Sequence, residues 1–185
     1  MIVMEREPDL ATARVWLRRW CEADRAAFAQ INADPEVMRH FPALLTHSES
    51  DALITNFDAH FDQYGYGIWA LEIPGVCALA GFAGLKQVDF DAPFAPAVEI
   101  GWRMRRDLWG QGYATEAAEA VLAHAFDDLY LDEIVSFTTR DNLRSRAVME
   151  RIGMEHDIAG DFEHPRLPPG HRQRPHVLYR ARRQP

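Results

Sequence analysis

The sequence predicts a mixed α/β domain in which a strand, a helix and a second strand form a parallel unit within a largely antiparallel sheet flanked by helices. Three observations predict it. Segments with period-two and period-3.6 hydrophobicity alternate along the 185 residues. The dipeptide Pro74-Gly75 joins two apolar runs as a tight turn would. The run WGQGYATEA, Trp109 to Ala117, separates a strand pattern from a helix pattern. At 48% hydrophobic residues, 185 residues suffice for one real core and fall short of a comfortable two-domain length, so one domain over 1–185 is expected.

Residues 12–18 read as a first strand, with Val15 and Leu17 on one side and Arg14, Trp16 and Arg18 on the other. Residues 23–33 are alanine-rich and helical by propensity, and Asp34-Pro35 stops them. A stronger helix is expected from about 49 to 64. Ser48 is its expected N-cap with Asp51 three residues on, and Leu53, Ile54, Phe57, Phe61 and Tyr64 make an apolar stripe that ends at Gly65 and Gly67.

Residues 68–73 and 76–84 form the expected hairpin around Pro74-Gly75. A loop at 89–96, with Pro93 and Pro96, leads to a strand at 97–104 that alternates Val98, Ile100 and Trp102 against Glu99 and Gly101. After the glycine turn, Ala114, Ala117, Ala118, Val121, Leu122 and Ala125 recur at the helical period, and 134–138 is a β-branched strand. A helix at about 143–152 ends at Gly153, where a left-handed cap is usual. Residues 160–175, rich in Pro, His and Arg, should be irregular before a closing strand at 176–180.

Composition bounds the function. There are 28 acidic and 20 basic residues, a formal net charge of -8, which argues against general affinity for nucleic acid or anionic membrane and suits a cationic substrate. Cys21 and Cys77 stand far apart without CxxC spacing, so no disulfide framework or zinc site is suggested, and a reducing cytoplasm fits. The N-terminal stretch is charged from Glu5 onward and builds no apolar leader, nor is there a membrane-length run, so a soluble, unprocessed protein is expected. His164, His171 and His176 lack a second HxxxH-like pair or accompanying cysteines, so no metal is expected. Trp69, Trp102 and Trp109 read as core or cleft wall.

Gly110 and Gly112 lie between a strand and a helix, where missing side chains let an anion approach the backbone and the helix's first free N–H groups point toward it. Two glycines also suit a bare turn. Small Ala114, then Thr115 and Glu116 in a first helical turn, favour the anion site. A P-loop would need Lys and Ser/Thr after Gly112, where Tyr113 and Ala114 stand, and a dinucleotide fingerprint would need a glycine at Thr115 and a place after the first strand.

With these motifs the sequence resembles the GNAT acetyltransferases, in particular the branch that includes the RimJ and RimL ribosomal-protein N-terminal acetyltransferases, over nearly the whole chain. The family turn Q/R-x-x-G-x-G/A falls on Trp109, Gly110, Gln111, Gly112, Tyr113 and Ala114. Trp109 replaces the usual Gln or Arg, a departure common in this branch. A second block, N-x-x-S-x-x-V-x-E-x-x-G-M, falls on Asn142, Ser145, Val148, Glu150, Gly153 and Met154.

The resemblance implies the GNAT acyl-CoA N-acyltransferase fold, with acetyl-coenzyme A as co-substrate and the parallel strand pair at its site. Backbone N–H groups from about Gln111 to Thr115 would hold the pyrophosphate. Asn142 would contact the pantetheine arm, and Ser145 would stand near the sulfur and protonate the thiolate. From the residues alone, Asn142 is equally an N-cap and Ser145 an ordinary first-turn serine.

Acetyl transfer to an amine needs a neutral nitrogen, a polarised carbonyl and a proton for the thiolate. Glu99, just ahead of the turn, is the first candidate base, acting directly or through water. The alternative is a solvated or salt-bridged strand glutamate. The expected function is N-acetylation of a primary amine, either a protein N-terminus or a small cationic amine, with a homodimer allowed. Its rivals are a coenzyme-A-binding regulatory module with little turnover and a dinucleotide-binding oxidoreductase.

Overall fold

The computed structural model describes residues 7–184; residues 1–6, part of the stretch read above for its lack of an apolar leader, lie outside the described residues, as does residue 185. The elements run β1 Leu10–Ala11, β2 Trp16–Arg18, α1 Asp24–Ala33, α2 His47–Tyr64, β3 Ile68–Ile73, β4 Cys77–Gln87, β5 Val98–Met104, α3 Tyr113–Asp127, β6 Glu133–Thr139, α4 Leu143–Arg151, β7 Glu155–His156, β8 Phe162–Glu163 and β9 Pro175–Arg182. The sheet order is β1-β2-β3-β4-β5-β6-β9-β7, with β8 also pairing β9. Every pairing is antiparallel except β5 with β6, the two strands joined through α3.

The sheet is covered on both faces. Ala117, Ala118, Val121, Leu122 and Ala125 are the buried stripe of α3, and the small alanines let that helix lie close over Leu85, Ile100 and Ile134. Val148 and Met149 of α4 complete this core with Tyr179. On the other face, α1 and α2 bury Phe28, Ile31 and Ile54 against Trp20, Ile68 and Phe82. Phe28 meets Trp20 at a centroid distance of 4.8 Å and Phe82 at 6.0 Å. Each such side chain contributes about 1.5–3 kcal/mol on burial. Strand β4 is therefore apolar on both sides, as a central strand must be.

Three sequence expectations are corrected. The first strand is broken: Thr12 N–H donates to Val15 O (2.9 Å) and Val15 N–H to Thr12 Oγ1 (3.0 Å), a turn that outcompetes the pleat between β1 and β2. Helix α2 starts two residues early, because Thr46 and Glu49 form a reciprocal capping box and Ser48 lies inside the first turn. Strand β4 runs on to Gln87, since Lys86 and Gln87 still pair with Glu99 and Val98. The tail is mostly irregular, though β8 adds a short pairing that periodicity over two residues cannot announce.

The parallel pairing is short. Its register is Glu99↔Val135, and next to it Ser136 Oγ donates to Ile100 O (2.9 Å). From Gly101 and Phe137 onward the two strands are not paired with each other, and the glycine turn follows the C-terminal end of β5. No helix among the described residues is long and apolar enough to cross a membrane.

Candidate functional site

At the end of β5 a short 3-10 turn, Arg106–Leu108, leads into Trp109 and the two glycines. Gly110 has φ 76° and Gly112 φ 85°, the left-handed region where a side chain is strained. Gly112 is the N-cap of α3, and Glu116 N–H is the first to bond back, to Gly112 O at 3.0 Å. The amides of Tyr113, Ala114 and Thr115 are thus the free donors of the first turn, at the positive end of a helix of 15 residues. A Cβ on Gly112 would stand 3.3 Å from Arg14 Nη2, so the turn is crowded on one side only.

Two residues outside the sequence motifs brace this turn. Arg14 donates through Nη1 to Gln111 O (3.0 Å) and through Nε to Glu116 Oε2 (2.6 Å), and its guanidinium stacks 4.8 Å from the Tyr113 ring centre. Thr12 Oγ1 and the Arg14 amide also donate to Glu116. Burial favours the neutral Glu116, but these partners hold its pKa below the usual value. Trp109 is half-buried between the two cores, its Nε1–H donating to Met104 O (3.0 Å), and Arg144 of α4 lies over its ring at 4.4 Å. That contact joins the two motif blocks. Neither brace was legible, because each lies far in sequence from what it holds.

Asn142 is the N-cap of α4: its Oδ1 accepts from the Ser145 amide (3.3 Å) and its Nδ2 donates to Thr138 Oγ1 (2.9 Å). Both residues are half-buried, just after the end of β6. No hydrogen bond joins Ser145 to Glu99.

Glu99 sits one residue before the strands part. It is 9% exposed, and Lys86 Nζ stands 3.3 Å from Oε2, close enough for an ion pair but without hydrogen-bond alignment. Burial pushes its pKa up, opposed by Lys86. Gly101 follows on the same face, where a Cβ would lie 3.9 Å from Glu99 Oε1.

The face bearing Glu99 and Gly101 also carries Arg103, whose Nη1 donates to Asn32 Oδ1. Above it lies the 34–46 loop, tied across the parted strands by His40 Nδ1 at 3.0 Å from Thr139 Oγ1 and by Gln173 Nε2 donating to Arg39 O (2.8 Å). His164 and His176, 5.0 Å apart, pack among Phe90, Phe137 and Phe162. Burial, then neighbouring His176 and the Arg166 and Lys86 cations, lowers His164 to about 4. His171 Nδ1 accepts from the Gln173 amide. Among the described residues no group of three His, Cys, Asp or Glu side chains is arranged to hold a metal. Trp69 is buried with its Nε1–H on Asp9 (2.7 Å), and Trp102 packs against the α3 core. A cleft of about 500 Å³ opens between α1 and residues 105–107, away from Glu99 and Ser145.

The profile of the family described as "Acetyltransferase (GNAT) domain" matches residues 14–155. The Bacillus subtilis (strain 168) protein described as "Uncharacterized N-acetyltransferase YnaD" is 37% identical over 154 residues, 80% of this chain and 83% of its own. The crystal structure of an acetyltransferase from Agrobacterium tumefaciens str. C58 superposes with a TM-score of 0.76 at 26% identity, covering 99% of both chains. RimL, a ribosomal L7/L12 α-N-protein acetyltransferase solved with coenzyme A, superposes at 0.74 and 17% identity over 93% of this chain and 96% of its own, a likeness of fold alone.

Proposed function

The chain belongs to the GNAT acetyltransferases, N-acetyltransferases that draw on acetyl-coenzyme A, and on that premise we propose that it acetylates a primary amine held between the parted strands. The observation that carries this reading is that the parallel pair, β5 with β6, bears buried Glu99 and is followed by the free amides of Tyr113–Thr115 after β5 and by the Asn142–Ser145 cap after β6. Acetyl-coenzyme A supplies an activated thioester carbonyl.

In this reading the amides of 111–115 hold the pyrophosphate, whose charge the helix end favours. Gly110 and Gly112 keep the backbone open to it, and Trp109 sets the angle of the turn. Asn142, fixed by its two hydrogen bonds, borders the pantetheine path. Glu99 accepts the proton that the ammonium must lose. Its burial raises its affinity for a proton above that of an ordinary carboxylate, and because neighbouring Lys86 is half-exposed, water can approach to carry that proton away. Ser145 donates a proton to the thiolate as the carbon–sulfur bond breaks, while the new carbon–nitrogen bond forms. Juxtaposing two substrates supplies much of the acceleration in such a site.

The acceptor is a small molecule or a protein N-terminus carrying a primary amine. Incubation with acetyl-coenzyme A and a panel of amines, with free thiol measured, should show acceptor-dependent thiol release. Tight coenzyme A binding without such release would turn the reading toward a regulatory binding module.

A further inference from the structure

Arg103 is buried, 9% exposed, and no carboxylate of the described residues lies within ion-pair distance of it. Its one protein hydrogen bond goes to Asn32, whose Nδ2 is committed to Ser50 Oγ (2.8 Å), so the Asn32 carbonyl is oriented toward the guanidinium. Arg103 Nε is buried and has no partner among the described residues. The guanidinium lies between two rings, Phe82 of β4 at 5.3 Å and Phe41 of the 34–46 loop at 4.2 Å. Burial lowers its pKa to about 10.

An uncompensated buried charge is costly, and stacking on aromatic rings returns only part of that cost. The remaining deficit is what an incoming anion would relieve. Position matters as much as charge. Arg103 follows Gly101 and Glu99 on one face, each step about 7 Å along the strand, so it lies one step beyond Gly101, along the stretch not paired with β6, where the acceptor is placed. One of its walls, Phe41, is 38% exposed and belongs to a loop rather than to the sheet, so a substrate can reach the guanidinium by moving that loop.

We propose that Arg103 recognises a carboxylate on the acceptor, so that the substrate is an amine that also carries a carboxylate. The inference rests on the acetyl-transfer reading and narrows its acceptor. The ammonium end of such a substrate suits the net charge of -8, and Arg103 reads the other end. The carboxylate has two sources, the α-carboxylate of a free amino acid or an acidic side chain close behind a peptide N-terminus.

The test measures, with coenzyme A present, both calorimetric binding and thiol release from acetyl-coenzyme A. One arm compares tyrosine with tyramine, histidine with histamine and lysine with cadaverine. The other compares peptides with Asp or Asn directly after the N-terminal residue. The carboxylate-bearing member of at least one arm should bind and turn over about tenfold better or more. In Arg103→Met that ratio should collapse toward one, and Arg103→Lys should keep part of it, since a point charge replaces the planar fork. Replacing an unpaired buried cation by Met is expected to leave the melting temperature unchanged or raised, which a melting curve checks.

Parity within every pair, or a preference that survives Arg103→Met, overturns the proposal. If thiol release persists beside such parity, acetyl transfer stands and only the carboxylate site falls. Carboxylate binding that depends on Arg103 without any thiol release upholds the site and removes the acetyl-transfer reading.

Discussion

Two arginines are buried beneath α1, and their surroundings differ completely. Arg18 on β2 makes two bonds to Asp24 (2.8 and 2.9 Å), one to Glu72 (2.7 Å), one to Ala78 O (2.7 Å) and one to Arg19 O (3.2 Å). Burial opposes ionisation of Asp24, yet its bonds to Arg18 hold its pKa below the usual value. Arg103 on β5 has Asn32 and two rings. A buried cation whose neighbours satisfy every donor is a joint of the fold. One with a single hydrogen bond and a buried Nε left unpaired, on the Glu99 face of β5, has capacity for a ligand.

The largest expected effect lies at the joint. Arg18→Met leaves Asp24 and Glu72 facing each other without their counter-charge, and should cost about 3–5 kcal/mol in urea unfolding. A loss below about 1 kcal/mol would erase the distinction between the two arginines.

Next comes the glycine turn, where Gly112→Asp would set a carboxylate against the proposed pyrophosphate site. Coenzyme A affinity should fall about 100-fold or more, equivalent to about 2.7 kcal/mol, while the strained left-handed backbone costs folding about 1–2 kcal/mol. Equal losses in calorimetry and unfolding would make the turn a joint too.

The third effect is on rate. If Glu99 is the base proposed above, it works deprotonated and activity should rise with pH as it loses its proton, and because burial raises its pKa the rising limb should lie above the ordinary carboxylate value of 4.5. Glu99→Gln should slow transfer about 10- to 100-fold and abolish that limb. An unchanged pH–rate profile would return Glu99 to the structural side of the comparison, as a buried partner of Lys86.

Much of the fold was legible because its signals are local. The Pro74-Gly75 hairpin, the alanine stripe of α3 and the Asn142 cap each depend on residues within a few positions. Boundaries failed where two local signals competed. Thr46-Glu49 displaced Ser48-Asp51 because the Glu49 carboxylate reaches back to the Thr46 amide at 2.8 Å, closing the box from both sides. Among the candidate site residues, Glu99 and the glycines were visible through alternation and turn chemistry. Arg103 shares that alternation and was passed over, since a strand arginine ordinarily reaches water.

The sequence by itself determined the order of elements, the left-handed glycine turn, the two motif blocks and the family they resemble, all consequences of short-range backbone and side-chain preferences. Only the tertiary structure decided what the isolated residues became. It set Arg14 and Thr12 on Glu116, Arg144 on Trp109, and Arg18 but not Arg103 opposite carboxylates. Those outcomes depend on which strands meet and where β5 and β6 part, and the desolvation that gives a buried charge its meaning exists only once the chain has closed around it.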